Sequence, residues 1–284
     1  MTESLKTYRD PFFLNCEGRR LFSIFHAPEN QAAIQGGAVY FAPFAEEANR
    51  TRRMASLLAE NLSASGSGTL LFDYSSTCDS SGDFSEARWN RWVADGCAAI
   101  DWLRKKIDKP ITLIGLRLGA ALALECARKA GGGTSRIVLW QPVTSGRTLF
   151  TQFLRIRLAA ALAEGGGSET TKDLMERLAS GETLEVAGYE IAPELAEAIN
   201  RVNIADLVPP PGCQIHWLEM TTGANDTLMP PSQKAVSGWR NAGVEVETAV
   251  LAGEQFWATQ EIATAPALID ATRAALSAPL LCAV

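Results

Sequence analysis

The stretch ITLIGLRLGAALALECARKA, residues 111–130, predicts a strand, a sharp turn and a helix. A short apolar run at 111–114 leads into Gly115-Leu116-Arg117-Leu118-Gly119, and an alanine-rich segment of high helix propensity follows. The two glycines have the spacing of the nucleophile-elbow motif G-x-S-x-G, in which strand and helix pack closely around one exposed residue. The central residue here is Arg117, whose guanidinium stays protonated and cannot attack as a nucleophile.

The remaining apolar runs predict an eight-stranded α/β sheet. Two runs at 12–16 and 20–26 are separated by Glu17-Gly18, which predicts an antiparallel hairpin at the start of the sheet. Strand-like runs then alternate with helical segments, and this order is typical of a mostly parallel sheet with helices on both faces. These later runs lie at 38–42, 69–74, 111–114, 136–141, 214–219 and 245–251.

Residues 145–202 differ in character from the rest of the chain. They read as helices separated by Gly165-Gly166-Gly167 and Gly181. Because this segment falls between the sixth strand and the last two, we expect a helical cap above the turn at Arg117. The predicted core therefore comprises 1–144 and 203–284, and the predicted cap comprises 145–202.

The beginning of the cap carries a basic amphipathic face at 147–158. One interpretation is peripheral contact with a membrane surface or an anionic ligand. The other, which we favour, is a helix that packs on the core while its arginines are solvated. The apolar members of this face are Leu149, Phe150, Phe153, Leu154 and Leu158, and the basic members are Arg147, Arg155 and Arg157.

Composition limits the classes of function. The 284 residues carry a net charge of −6, which argues against a nucleic-acid partner. The six cysteines have no metal-ligand spacing and only two histidines accompany them, so we expect free thiols and neither a metal nor a cofactor. The start of the chain lacks a signal-peptide pattern, and no apolar run reaches ~20 residues, so the sequence predicts a cytoplasmic protein with no transmembrane segment. The oligomeric state is left open.

The loop PFAEE at 43–47 follows the third predicted strand, where a hydrolase of this architecture carries its oxyanion loop. Adjacent carboxylates at Glu46 and Glu47 are poor surroundings for a developing oxyanion. The alternative is that both residues begin a helix and favour its positive end, or pair with Arg50, Arg52 and Arg53.

The motifs together resemble the α/β-hydrolase superfamily over essentially the whole chain. More narrowly, PFAEEANRTRRM, GLRLGA, VLWQPVTSGRTLFTQFLRIR and EQFWATQEI resemble the exosortase A system-associated hydrolase 2 family, which is named for bacterial operons of exopolysaccharide production and protein sorting. By this resemblance the nucleophile position of the triad falls at Arg117, the acid position at Asp226 and the histidine position at Gln255. Only the acid is present, so the resemblance implies a degenerate triad without conventional esterase activity.

Neither histidine of the chain offers an obvious replacement. His26 ends the second predicted strand and is interpreted as structural, and His216 lies within a later strand. We therefore expect Arg117 to form an ion pair with Asp226, with Gln255 hydrogen-bonded nearby, because an unpaired buried guanidinium is costly. The ligand pocket is predicted to comprise Phe44, Glu46, Arg117, Leu118, Asp226 and Gln255.

Three functional hypotheses remain open. The first is a non-catalytic protein that binds a small anionic or acyl-bearing ligand, or a partner, through Arg117 in the capped pocket. The second is an unconventional ester or thioester hydrolase or acyltransferase that uses Cys78, Ser76, or a water held by Glu46 or Asp226. The third is a scaffold for exopolysaccharide or sorting machinery. The first is favoured, because a fold alone does not establish activity.

Overall fold

A single eight-stranded sheet organises the molecule. The computed structural model describes residues 9–30, 34–130, 134–223 and 226–278. The strands, numbered along the chain, lie in the order β1 (Arg9–Cys16), β2 (Arg19–His26), β4 (Ser67–Phe72), β3 (Gly36–Phe41), β5 (Ile111–Leu116), β6 (Thr134–Trp140), β9 (Gln214–Thr221) and β10 (Val246–Ala252). A separate hairpin pairs β7 (Leu184–Val186) with β8 (Tyr189–Ile191). Strand β2 is antiparallel to both β1 and β4, whereas the other five pairs of the eight-stranded sheet are parallel. The predicted eight-stranded, mostly parallel architecture is confirmed.

The helices that accompany these strands have the following bounds. The helices are α1 Glu46–Ala64, α2 Trp89–Lys106, α3 Gly119–Lys129, α4 Gly146–Ala163, α5 Thr171–Ala179, α6 Pro193–Arg201, α7 Pro230–Asn241 and α8 Pro266–Ser277.

Helices cover both faces of the sheet because its central strands are apolar on both sides. Strand β5 is buried at every position, which is the pattern of a parallel strand packed between two layers. On one face α2 and α3 contribute to a large apolar cluster. On the other face α1 and α8 form a second cluster with Met54, Trp140 and Leu268.

The turn after β5 has the backbone conformation of an elbow. Arg117 has a φ of 55°, a left-handed value that is uncommon for a residue with a side chain. Its N–H donates to the Trp140 carbonyl at 2.9 Å, and its own carbonyl accepts from the N–H of Ala120 at 3.2 Å. A Cβ on Gly119 would lie 2.2 Å from the Phe41 carbonyl oxygen. The flanking glycine therefore lets α3 approach β3, as the motif predicts.

The segment 145–202 forms α4, α5, α6 and the β7–β8 hairpin. The assignment of this segment as a cap stays a prediction. The four apolar residues at 149, 150, 153 and 154 of the predicted basic face are buried. The structure thus agrees with the packed-helix interpretation, since a membrane could reach this apolar face only if α4 left the core.

Two further observations concern the sequence predictions. No helix in the four described ranges is long and apolar enough to cross a bilayer. The five cysteines within those ranges are free thiols, and Cys16, Cys126 and Cys213 are buried while Cys78 is exposed. Cys282 lies outside the described residues.

Candidate functional site

The guanidinium of Arg117 lies in a cleft directly above the elbow. Its Nε donates a hydrogen bond of 3.1 Å to Glu47 Oε1. Its Cζ lies 5.5 Å from the centre of the Trp257 ring, within the range of a cation–π contact. Among the described residues this Nε bond is the side chain's only hydrogen bond, and its terminal nitrogens are not buried. The two Nη groups are therefore available to a molecule in the cleft.

The cleft, called the elbow cleft below, has a volume of about 280 Å³. Its walls come from the start of α1, the elbow, α4 and the loop after β10, so four separate segments of the chain meet there. The lining residues are Phe44, Glu46, Glu47, Arg50, Arg117, Leu149, Gln152, Phe153, Ile156, Gln255, Trp257 and Ala258. Two cationic, two carboxyl and two amide side chains therefore share one space.

Glu47 needs a cation because its carboxyl group is desolvated. Burial raises the pKa of Glu47 above its ordinary value, while the nearby Arg117 guanidinium acts in the opposite direction. Its second oxygen, Oε2, is buried and has no hydrogen-bond partner in the described chain. Burial also raises the pKa of Glu46. The start of α1 thus holds two carboxyl groups that bind protons more readily than exposed ones.

The predicted ion pair between Arg117 and Asp226 is wrong. Asp226 is exposed in the loop after β9, and its carboxylate is not within ion-pair distance of Arg117. The reason is a difference in desolvation: Asp226 remains hydrated without a partner, whereas Glu47 is buried beside the guanidinium. The expected pairing of Glu47 with Arg50, Arg52 or Arg53 is also wrong, since Glu47 pairs with Arg117.

The other interpretation of these two carboxylates, that they begin a helix, is confirmed. Glu46 and Glu47 occupy the first turn of α1, where carboxylates favour the helix dipole. Arg52 instead binds Asp73 at 3.0 Å and Asp79 at 3.1 Å.

The structure brings together four of the six predicted pocket residues. Phe44, Glu46, Arg117 and Gln255 line the elbow cleft. Leu118 lines a separate apolar pocket of about 170 Å³, and Phe44 contributes to the walls of both spaces. Asp226 lines neither space. Gln255 lies on the rim of the elbow cleft and is exposed.

No imidazole reaches the elbow cleft. His216 is within β9, and its Nδ1 lies 3.1 Å from Glu247 on the neighbouring strand β10. His26 ends β2, is 1% exposed and does not line the elbow cleft. These are the only two histidines of the chain, so the elbow cleft has no histidine base at the position that the triad chemistry requires.

The other proposed nucleophiles lie outside the elbow cleft. Cys78 lines the apolar pocket, and partial burial together with the Asp73 carboxylate raises the pKa of its thiol. A raised pKa leaves less of the reactive thiolate at neutral pH. Ser76 is 4% exposed and lines neither space.

Sequence reasoning missed Trp257 and the role of Glu47. The order of the strands contains the missing signal, because β3 and β5 are neighbours and the residues after them meet at one edge. A carboxylate two residues into the helix after β3 therefore comes close to the residue after β5. Across the described parts of the chain, no group of three or more histidine, cysteine, aspartate or glutamate side chains could hold a metal ion.

Comparisons with known proteins identify the fold. No protein-family model matches the chain, and no curated protein matches it significantly. Est1E from Butyrivibrio proteoclasticus, solved with bound ferulic acid, superposes with a TM-score of 0.68 at 13% identity, over 93% of this chain and 97% of that one.

Two further solved structures show the same similarity. A thermostable carboxyl esterase from Bacillus coagulans has a TM-score of 0.59 at 14% identity, over 87% of this chain and 90% of that one. Mouse α/β hydrolase domain-containing protein 10 has a TM-score of 0.56 at 15% identity, over 94% and 96% of the two chains. At these identities the similarity concerns the fold and not the chemistry. The chain therefore has the α/β-hydrolase fold.

Proposed function

We propose that the protein binds a small anionic ligand, with an acyl or other apolar part, and does not hydrolyse it. One observation carries this proposal: Arg117 lines the elbow cleft with its Nε bound to Glu47, and its two Nη groups have no hydrogen-bond partner among the described residues. A guanidinium with a fixed orientation matches the two oxygens of a carboxylate or phosphate. The ion pair thus orients Arg117 and leaves its terminal nitrogens for the ligand.

The apolar pocket supports the second half of the proposal. Phe44 and Leu118 belong to its lining, and Phe44 also lines the elbow cleft. A ligand whose anionic group binds Arg117 could therefore place a hydrocarbon part beside Phe44. Burial of that part would contribute about 25 cal/mol per Å² of apolar surface removed from water.

The hydrolase hypothesis has a weaker physical basis. It needs a nucleophile and a base, and the elbow cleft offers carboxyl groups but no imidazole. Cys78 in the apolar pocket is the remaining nucleophile candidate, and the raised pKa of its thiol opposes this role. We retain the hydrolase hypothesis as the competing outcome of the test below.

The narrower sequence resemblance suggests a setting for this ligand binding. By that resemblance we propose a cytoplasmic protein that accompanies exopolysaccharide or protein-sorting machinery. The segment 145–202 would act as the cap, since Leu149, Gln152 and Phe153 of α4 line the elbow cleft. Residues 1–144 and 203–284 would form the core.

The test compares wild type with Arg117→Met and a matched control. Arg53→Met removes an exposed arginine from the same region of α1 without touching the elbow cleft. We expect calorimetry to detect octanoate binding that weakens at least tenfold in Arg117→Met and is unchanged in Arg53→Met. We also expect no turnover of p-nitrophenyl octanoate. Unchanged octanoate affinity in Arg117→Met would refute the proposal, and turnover that Cys78→Ala abolishes would favour the hydrolase hypothesis.

A further inference from the structure

A second cavity lies away from the elbow cleft, between α1 and the sheet. It has a volume of about 240 Å³ and is called the α1 groove below. Its walls are the first half of α1 and the face of β2, β3 and β4. Two small residues of the helix, Ala48 and Ala55, border the groove and leave space opposite Leu71 of β4. Leu71 is only half-buried, so the groove offers apolar surface to a ligand.

The groove contains polar groups that are buried without partners. His26 is 1% exposed and Tyr40 is 3% exposed, and both line the groove. His26 Nδ1 and the Tyr40 hydroxyl have no hydrogen-bond partner among the described residues. Burial raises the pKa of the Tyr40 phenol, and the nearby Thr51 hydroxyl acts in the opposite direction. No hydrogen bond of normal geometry joins the two hydroxyl groups, however, and the Thr51 hydroxyl donates to the Glu47 carbonyl at 2.9 Å.

Strand register places a third such group beside the first two. Thr69 of β4 is directly opposite His26 of β2, and it is also opposite Ala38, two residues before Tyr40 on β3. Since paired residues share a face, and residues two apart on one strand also share a face, all three side chains lie on the α1 side of the sheet. The Thr69 hydroxyl is likewise buried without a partner. Three such groups side by side are unusual, because each costs about 1–3 kcal/mol.

The charges around the α1 groove already have partners. Arg52 pairs with Asp73, and Arg9 pairs with Glu60. The pKa of His26 is lowered to about 4 by burial and by the nearby Arg9, so its imidazole is neutral at physiological pH. An anion or cation entering the groove would lose hydration without meeting an opposite unpaired charge. The groove therefore favours a neutral molecule.

We propose that the α1 groove is a second ligand site, which binds a small neutral alcohol or phenol through His26 and Tyr40. The apolar part of the ligand packs against Ala48, Ala55 and Leu71. Its hydroxyl group donates to His26 Nδ1 or accepts from the Tyr40 hydroxyl, which supplies a partner that the chain lacks. This site is independent of Arg117, because Arg117 does not border the groove.

Saturation-transfer NMR and calorimetry with 4-ethylphenol test the site, and ethylbenzene serves as the probe that lacks the hydroxyl group. We expect saturable binding of 4-ethylphenol that is at least tenfold tighter than that of ethylbenzene. Ala55→Phe, which fills the groove, should abolish the binding. His26→Phe and Tyr40→Phe, which keep side-chain size and remove polar atoms, should each weaken it about three- to tenfold.

Two controls separate this site from the elbow cleft. Arg53→Met lies on the solvent side of α1 and should leave the affinity for 4-ethylphenol unchanged. Octanoate binding that fails in wild type would refute the elbow proposal without affecting this one. No saturable binding of 4-ethylphenol, or equal affinity in wild type and both phenylalanine variants at 26 and 40, would overturn the second site.

Discussion

Removal of Arg117 should destabilise the fold through Glu47, and the effect should depend on pH. The contact of 3.1 Å between Arg117 Nε and Glu47 Oε1 corresponds to a gross attraction of about 5 kcal/mol at an effective dielectric constant of ~20. Loss of one partner from a fully buried pair costs about 3–5 kcal/mol. The two side chains here are 17% and 12% exposed, so we expect about 2 kcal/mol for Arg117→Met at neutral pH.

The sign of the pH dependence follows from the pKa of Glu47. In the folded protein burial raises this pKa above its unfolded value. The protonated carboxyl group therefore contributes to the stability of the fold, and this contribution is fully present below the unfolded pKa. The contribution is lost as the pH rises through the folded pKa. Without Arg117 the folded pKa rises further, because the cation that favours the carboxylate is gone. The destabilisation by Arg117→Met should therefore be smaller at pH 5 than at pH 7.5.

Thermal unfolding of four proteins measures this coupling: wild type, Arg117→Met, Glu47→Gln and the double variant. For 284 residues at ~2.1 cal/mol/K per residue, 2 kcal/mol corresponds to a fall in Tm of roughly 3–4 °C. The double variant should lose less stability than the two single variants lose together. The pH-dependent part of the loss in Arg117→Met should be absent from the double variant, because it has no Glu47 carboxyl group to titrate. Arg52→Met, which breaks a more exposed pair, should cost under about 1 kcal/mol. Additive losses, or equal destabilisation by Arg117→Met at both pH values, would refute the reasoning.

Two further results are expected. Gly119→Ala should prevent normal folding, because its Cβ would meet the Phe41 carbonyl. Gly238→Ala in α7 has open space around it and should raise the free energy of unfolding by about 0.5–1 kcal/mol. Soluble yield and Tm measure both effects, and a Gly119→Ala protein as stable as wild type would contradict the close packing at the elbow. Iodoacetamide should modify Cys97 well before Cys213 at pH 7.5. The neighbouring Cys126 thiol and the charge of Lys129 lower the pKa of Cys97 to about 7, and Cys97 is only half-buried, whereas burial raises the pKa of Cys213 to about 12. Mass spectrometry of the labelled peptides checks this order, and earlier labelling of Cys213 would contradict it.

The fold was predictable because its signals are local. Apolar runs mark the strands, and their observed bounds differ from the predicted ones by only a few residues, as for 69–74 against Ser67–Phe72. The glycines at 115 and 119 mark the elbow because a Cβ at either position would meet neighbouring backbone atoms. Gly115 packs against Gly119 and Ala120 of its own strand-turn-helix unit, whereas Gly119 packs against Phe41 of β3. The spacing of the two glycines is visible in the sequence in both cases.

The partner of Arg117 was not predictable from the same signals. Motif order placed an acid at Asp226, but order along the chain does not report burial. Glu47 and Asp226 both follow strands of the sheet, and only Glu47 lies where its carboxyl is desolvated beside the guanidinium. The choice between two carboxylates depends on solvation in the folded state, which requires the three-dimensional neighbours of each residue.

The most direct test of the ligand proposal combines a change in the ligand with a change in the protein. Calorimetry would compare octanoate with 1-octanol, which has the same chain and no charge, in wild type and in Arg117→Met. We predict that wild type prefers octanoate at least tenfold and that Arg117→Met loses this preference. If the preference for octanoate persists in Arg117→Met, the guanidinium at the elbow does not bind the anion, and the central claim is contradicted.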